Sequence, residues 1–239
     1  MQFRWSRRLR ARGKMPDSDD LILLFDCDNT LLDNDALLED LRARMVDEFG
    51  QIDSDRYWVI SEALRVELGY VDYLGALQRL RRKDRSDAPV MRMSSFLIDY
   101  PFSSRLYPGA LEALRRLRAM GKTVIVSDGD AVFQPHKIKR AGLWAEVRGR
   151  VLIYIHKETM LDEIAKCYPA RRYVMVDDKL RILSTMKQRW ESRLTTVFPR
   201  QGHYARDPAA IAYPPADVVI EHIGDLNEAV LAARSRSAR

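Results

Sequence analysis

Two aspartates separated by one residue, Asp26 and Asp28, close the apolar run Leu21–Phe25 and are followed at once by Asn29 and Thr30. In extended backbone, residues i and i+2 share a face, so the two carboxylates are expected to point the same way. Like charges that converge are costly unless a cation or a shared proton offsets them. A divalent metal site is the simplest resolution. Three more strand-like runs end in polar residues: TVIVS in Ser127, followed by Asp128 and Gly129; VLIYI, followed by His156 and Lys157; and YVMV, followed by Asp177 and Asp178.

These residue types suffice for phosphoryl transfer. A carboxylate can attack phosphorus and divide a hard hydrolysis into two easier steps. A second carboxylate two residues on can protonate the leaving oxygen and then take a proton from water. A magnesium ion would hold substrate and nucleophile together despite their shared negative charge. Ser127 with a nearby backbone N–H can bind phosphate oxygens, and Lys157 offers compact positive charge.

The elements that must position these residues alternate. Strand-like runs at Leu21–Phe25, Thr123–Ser127, Val151–Ile155, Tyr173–Val176 and Thr195–Phe198, with a short sixth at Val218–Ile220, are mostly separated by helical patterns. That alternation predicts an α/β fold with a doubly wound parallel sheet, whose ligands bind beyond the carboxyl ends of its strands. The clearest helix covers Gly109–Met120, with Pro108 before it and Gly121 after.

One interval breaks the alternation. About seventy residues after the first acid pair read as helices at 35–49, 54–68, 71–82 and 93–100, more chain than a single crossover requires. The expected organisation is an α/β core at 20–33 and 106–230 with an all-helical cap inserted at 34–105. Tyr57, Trp58, Tyr70 and Tyr73 are expected in the core of that insertion, and the charged run Arg79–Arg85 at a solvated helix end.

Composition narrows the function classes. With 239 residues, 46% of them hydrophobic, the chain can bury a full core. No stretch approaches the roughly 20 apolar residues of a membrane span, so no membrane partner is expected. Cys27 and Cys167 are too few for a disulfide framework and suit a reducing cytoplasm. Cys27 is expected to turn away from the acids and pack. The net charge of +6 resides at the two ends, six cations without an acid in residues 1–14 and three in the tail 231–239, leaving the body at −3. With the body mildly acidic and nothing resembling a nucleic-acid module with interleaved aromatics, no nucleic-acid partner is expected. The start 1–19 is read as a basic segment, with Met15 an alternative translation start.

DCDNT at 26–30, Ser127, Lys157 and Asp177-Asp178, with the lead-in YPGALEALRRLRAMGKTVIVSDG, resemble the four ordered motifs of the haloacid dehalogenase superfamily. The resemblance spans roughly residues 20–225 and implies a Rossmann-like core. It implies Asp26 as nucleophile and Asp28 as acid/base, with Lys157 as a catalytic and phosphate-binding lysine. Thr30, Ser127 and Asp128 fall at substrate-contacting positions. Magnesium would be held by the Asp26 carboxylate, the Asp28 backbone carbonyl, Asp178 and, directly or through water, Asp177. The second motif-one acid and the acid pair favour phosphate chemistry over dehalogenation. The expected activity is a magnesium-dependent phosphatase for a small phosphorylated metabolite. A phosphomutase and a non-catalytic binding protein are the alternatives, and oligomeric state stays open. Lys179 stands among the motif-four acids, and Asp128 stands where relatives often carry Asn or Gly.

Overall fold

The computed structural model describes residues 20–227. The basic segment 1–19, with Met15, and the basic tail 231–239 lie outside the described residues. Six strands form one sheet: β1 (Leu21–Phe25), β2 (Lys122–Asp128), β3 (Val151–Tyr154), β4 (Arg172–Val176), β5 (Leu194–Pro199) and β6 (Val218–Ile220). Their order is β3-β2-β1-β4-β5-β6 and every pairing is parallel. This is the Rossmann-like, doubly wound arrangement the alternation predicts.

Central strands buried on both faces read as continuous apolar runs, and alternate residues of β1 serve different layers. Leu23 and Phe25 pack into one hydrophobic cluster, Ile22 and Leu24 into another on the opposite face. Strand order reverses at β1, with β2 on one side and β4 on the other. The acids after β1 and β4 therefore flank the switch point where open α/β sheets bind ligands.

Between β1 and β2 the chain forms α1 (Asn34–Leu68), α2 (Tyr73–Leu80) and α3 (Ala88–Asp99). The two helices expected at 35–49 and 54–68 are one stretch, broken at Gly50, whose φ of 75° and ψ of 168° are non-helical. The third helix begins at Ala88, earlier than the expected 93, because Pro89 occupies the first turn, where its missing N–H costs nothing. Buried side chains of these helices join the cluster on one sheet face. Among the expected aromatics Tyr57 and Tyr73 are buried, and Trp58 and Tyr70 are partly so. The basic run Arg79–Arg85 is exposed, and its arginines pair with Glu67, Asp87, Asp84 and Asp53.

The remaining helices are α4 (Ala110–Leu117), α5 (Phe133–Arg140), α6 (Leu143–Glu146), α7 (Leu161–Cys167), α8 (Leu180–Trp190) and α9 (Gly202–Arg206). The expected third strand loses Ile155, whereas the second gains Asp128, which pairs in register with Tyr154. Among the described residues no helix is long and apolar enough to cross a membrane.

Asp217 fastens the sheet edge: its carboxylate accepts from Lys187 Nζ at 2.7 Å and from Thr196 N at 2.9 Å and Oγ1 at 3.1 Å. Burial alone would raise its carboxyl pKa, but the Lys187 and Thr196 donors outweigh that and hold it below the ordinary 3.8. A depressed native pKa gives stability that is present above the unfolded value and lost as pH falls through the native one. Asp217→Ala is expected to lower unfolding free energy by about 2 kcal/mol at pH 7. In urea titrations the gap to wild type should shrink as pH drops below about 4.

Candidate active site

Asp26 leaves the end of β1, and its N–H donates to Val176 O at 2.9 Å, which holds it beside the end of β4. Asp177 and Asp178 continue from β4 and are fully buried. Carboxylate oxygens of Asp26, Asp177 and Asp178 lie within 4.8 Å of one another. Lys157, 1% exposed, enters this cluster from the turn after β3, bonding Asp26 Oδ1 and reaching Asp177 Oδ2 at 2.7 Å. Three oxygens stay buried without hydrogen bond or ion pair: Asp26 Oδ2 and both of Asp178.

The electrostatics follow from that packing. Burial pushes the Asp26 carboxyl up to about 6, with Lys157 opposing and Asp177 adding to the rise. Burial also holds Asp178 well above the usual carboxylate range against the pull of Lys179. Burial would lower the Lys157 ammonium, but Asp177, Asp26 and Asp128 hold it above its ordinary value. Lys179 is raised in the same way, chiefly by Asp178, and lies 4.5 Å over the Tyr204 ring.

Asp28 does not join this cluster. Its carboxylate is taken by a second lysine, Lys137 on α5, at 2.6 and 2.7 Å, and by Gln134 Nε2 at 3.2 Å. The expected convergence of the two acids gives way because the chain leaves the strand after Phe25, and each acid finds its own ammonium. Cys27 between them is buried in the hydrophobic cluster, as expected.

Thr30 departs from its expected substrate-contacting place, whereas Asp128 lines the cavity. Thr30 is fully buried, and its hydroxyl accepts from Asp178 N at 3.1 Å, so it ties the β1 loop to the β4 loop and does not reach the cavity. Asp128 Oδ1 accepts from the backbone N–H of Lys157 at 2.8 Å, which aims that lysine inward. Ser127 Oγ, nearly inaccessible, accepts from Gln134 Nε2 at 2.9 Å. The Lys157 ammonium, expected to face phosphate, is engaged by two carboxylates behind the cavity wall.

Asn29 adopts a left-handed φ of 58°, which Asn tolerates better than most residues. Its Oδ1 accepts from Asn34 N at 3.0 Å and Asp35 N at 3.2 Å, starting α1. Gly202 packs so closely that a Cβ there would lie 2.5 Å from Asn29 Cβ. His203 bonds Asp35 through Nδ1 at 2.6 Å. A cavity of ≈ 500 Å³ opens above these loops, between Asp28, Lys137 and Lys179 on the core side and Arg65, Tyr70 and Tyr73 of the insertion.

A model of the haloacid dehalogenase-like hydrolases matches residues 22–188. The chain belongs to that family. A crystal structure described as a haloacid dehalogenase-like hydrolase from Burkholderia xenovorans LB400 is 68% identical, with a TM-score of 0.80 over 86% of this chain and 94% of that one. A magnesium-bound HAD hydrolase from Bacillus subtilis is 16% identical, with a TM-score of 0.57 over 85% of this chain and 95% of that one. An L-2-haloacid dehalogenase from Xanthobacter autotrophicus is also 16% identical, with a TM-score of 0.53 over 91% and 99%. Those last two show the shared fold alone. No curated protein matches.

Within this HAD hydrolase, sequence reading passed over Gln134, Lys137, Asn34 and the Asp35–His203 pair. The available signal was the polar i, i+3 pair Gln134 and Lys137 on a helix directly after Ser127. The acid cluster fits a divalent cation: three buried carboxylates are in reach of one point, and three of their oxygens lack partners that buried polar atoms ordinarily have. Adding magnesium to metal-free protein is therefore expected to raise Tm. Asp178→Asn should abolish that shift without lowering the metal-free Tm, since it removes a buried unpaired charge. Differential scanning calorimetry measures both.

Proposed function

We propose that this HAD hydrolase is a magnesium-dependent phosphatase of a small phosphorylated metabolite, acting through an aspartyl-phosphate on Asp26. The observation that carries the reading is the Asp26, Asp177 and Asp178 cluster with its unpartnered oxygens. Displacing a halide from carbon needs one carboxylate nucleophile, and three buried acids would only burden it. A phosphoryl group brings its own negative charge, so a divalent cation has a clear task among those acids. Bound there, magnesium would neutralise the acids and polarise the phosphoryl oxygens. Asp28 adds a second acid on the cavity side.

In this reading an Asp26 oxygen attacks phosphorus while the ester P–O bond breaks, and Asp28 delivers a proton to the leaving oxygen. Water then attacks the aspartyl-phosphate and Asp28 takes its proton. Inorganic phosphate leaves and the Asp26 carboxylate is restored. Lys157 holds Asp26 in place and offsets the crowded charge. The loop beyond β2, with Gly129 on the cavity wall, receives the phosphate oxygens, and Ser127 supports it from behind through Gln134. The helices within 34–105 act as the cap that selects substrate over a core of 20–33 and 106–230, and the two free cysteines suit the cytoplasm.

A phosphate-ester panel with and without magnesium tests the proposal. Magnesium-dependent release of inorganic phosphate is expected, and Asp26→Asn should reduce it at least about a thousandfold. Halide release from 2-haloacids without metal, or turnover retained by Asp26→Asn, would overturn it. Isomer formation in place of inorganic phosphate would indicate a phosphomutase.

A further inference from the structure

Lysines are rarely buried unless paired, and Lys137 is 1% exposed at the cavity wall. It projects from α5 and touches both oxygens of Asp28, at 2.6 and 2.7 Å, and Asn34 Oδ1 at 3.2 Å. Gln134, one helical turn earlier on the same face, donates to Asp28 Oδ2 at 3.2 Å and to Ser127 Oγ at 2.9 Å. One short helix thus spans the acid at the end of β1 and the hydroxyl at the end of β2. Asn34, the first residue of α1, closes the arrangement from the insertion side. Neither Lys137 nor Gln134 contacts the Asp26, Asp177 and Asp178 cluster.

We propose that Lys137, supported by Gln134, is a positioning residue that sets the Asp28 carboxyl group for proton transfer. The proposal rests on the reading of Asp28 as the acid/base. An acid that must first donate to a leaving oxygen and then accept from water has to stay within hydrogen-bond reach of both reacting atoms. An aspartate free to rotate at a cavity edge does not hold that position. Lys137 gripping both oxygens and Gln134 gripping one remove that freedom. Preorganised geometry of this kind depends on neighbours that are themselves locked by packing, and burial of the Lys137 stem provides that. Gln134, bonded to both, fixes the spacing between the acid and Ser127.

A double-mutant cycle on the magnesium-loaded full chain, with phenyl phosphate as substrate, tests this. General acid–base catalysis contributes about 100- to 10,000-fold, so Asp28→Asn is expected to lower kcat by roughly that range. Lys137→Met should lower kcat by roughly 100-fold with KM within about threefold, whereas Lys137→Arg should recover most of the loss. The combined variant leaves no buried charge unpaired and should be no slower than Asp28→Asn alone, because Lys137 then has nothing to position. Multiplying losses in the double variant, unchanged kcat in Lys137→Met, or a loss confined to KM would each overturn the role of Lys137 while leaving the reaction intact. Wild-type turnover by Asp28→Asn would instead remove the acid/base reading, and the positioning role with it. Should Lys137→Met fail to fold, Lys137→Gln takes its place in the cycle, with the same loss of kcat expected and the same outcomes overturning the role.

Discussion

The buried ammonium of Lys157 between Asp26 and Asp177 is the contact on which the site depends. Three carboxylates drawn this close at the ends of two neighbouring strands would repel one another and pay for lost hydration. One lysine touching two of them, with Lys179 acting on the third, makes the packing tolerable without a metal. The remaining surplus of negative charge is what a cation would answer. β3 sits two strands from β1, and the turn that follows it brings Lys157 to the Asp26 carboxylate.

Much of this was legible because parallel strands at the centre of a sheet announce themselves as apolar runs, and the polar residues stopping them must lie at its functional edge. The gathering of Asp26, Lys157 and Asp177-Asp178 beyond three strand ends is legible that way. What stayed hidden depends on helix rotation and on loop contacts distant in sequence. Lys137 stands in FQPHKIKR beside Lys139 and Arg140 and reads as one more surface cation. Only the docking of α5 on the sheet turns it inward. Thr30 was misread for a related reason: its neighbour Asp178 lies 148 residues away. The pairwise facing of Asp26 and Asp28 failed where the strand stopped, since period-two reasoning ends with extended backbone.

The helical insertion and the sheet are joined through the cavity itself. Tyr73 and Asn34 on one side and Gln134 and Lys137 on the other line the same space, and the apolar cluster beneath them is continuous. In the proposed reaction, substrate selection and proton transfer would accordingly share a wall.

Asn29 draws a seam across this shared construction. Its left-handed backbone turns the chain out of the loop after β1, and its side chain caps the start of α1 at residues 34 and 35. The loop is thus finished before the insertion begins, held on its far side by the bare backbone of Gly202. Such a joint leaves the placement of the whole insertion on the sheet to one amide side chain and one bare glycine.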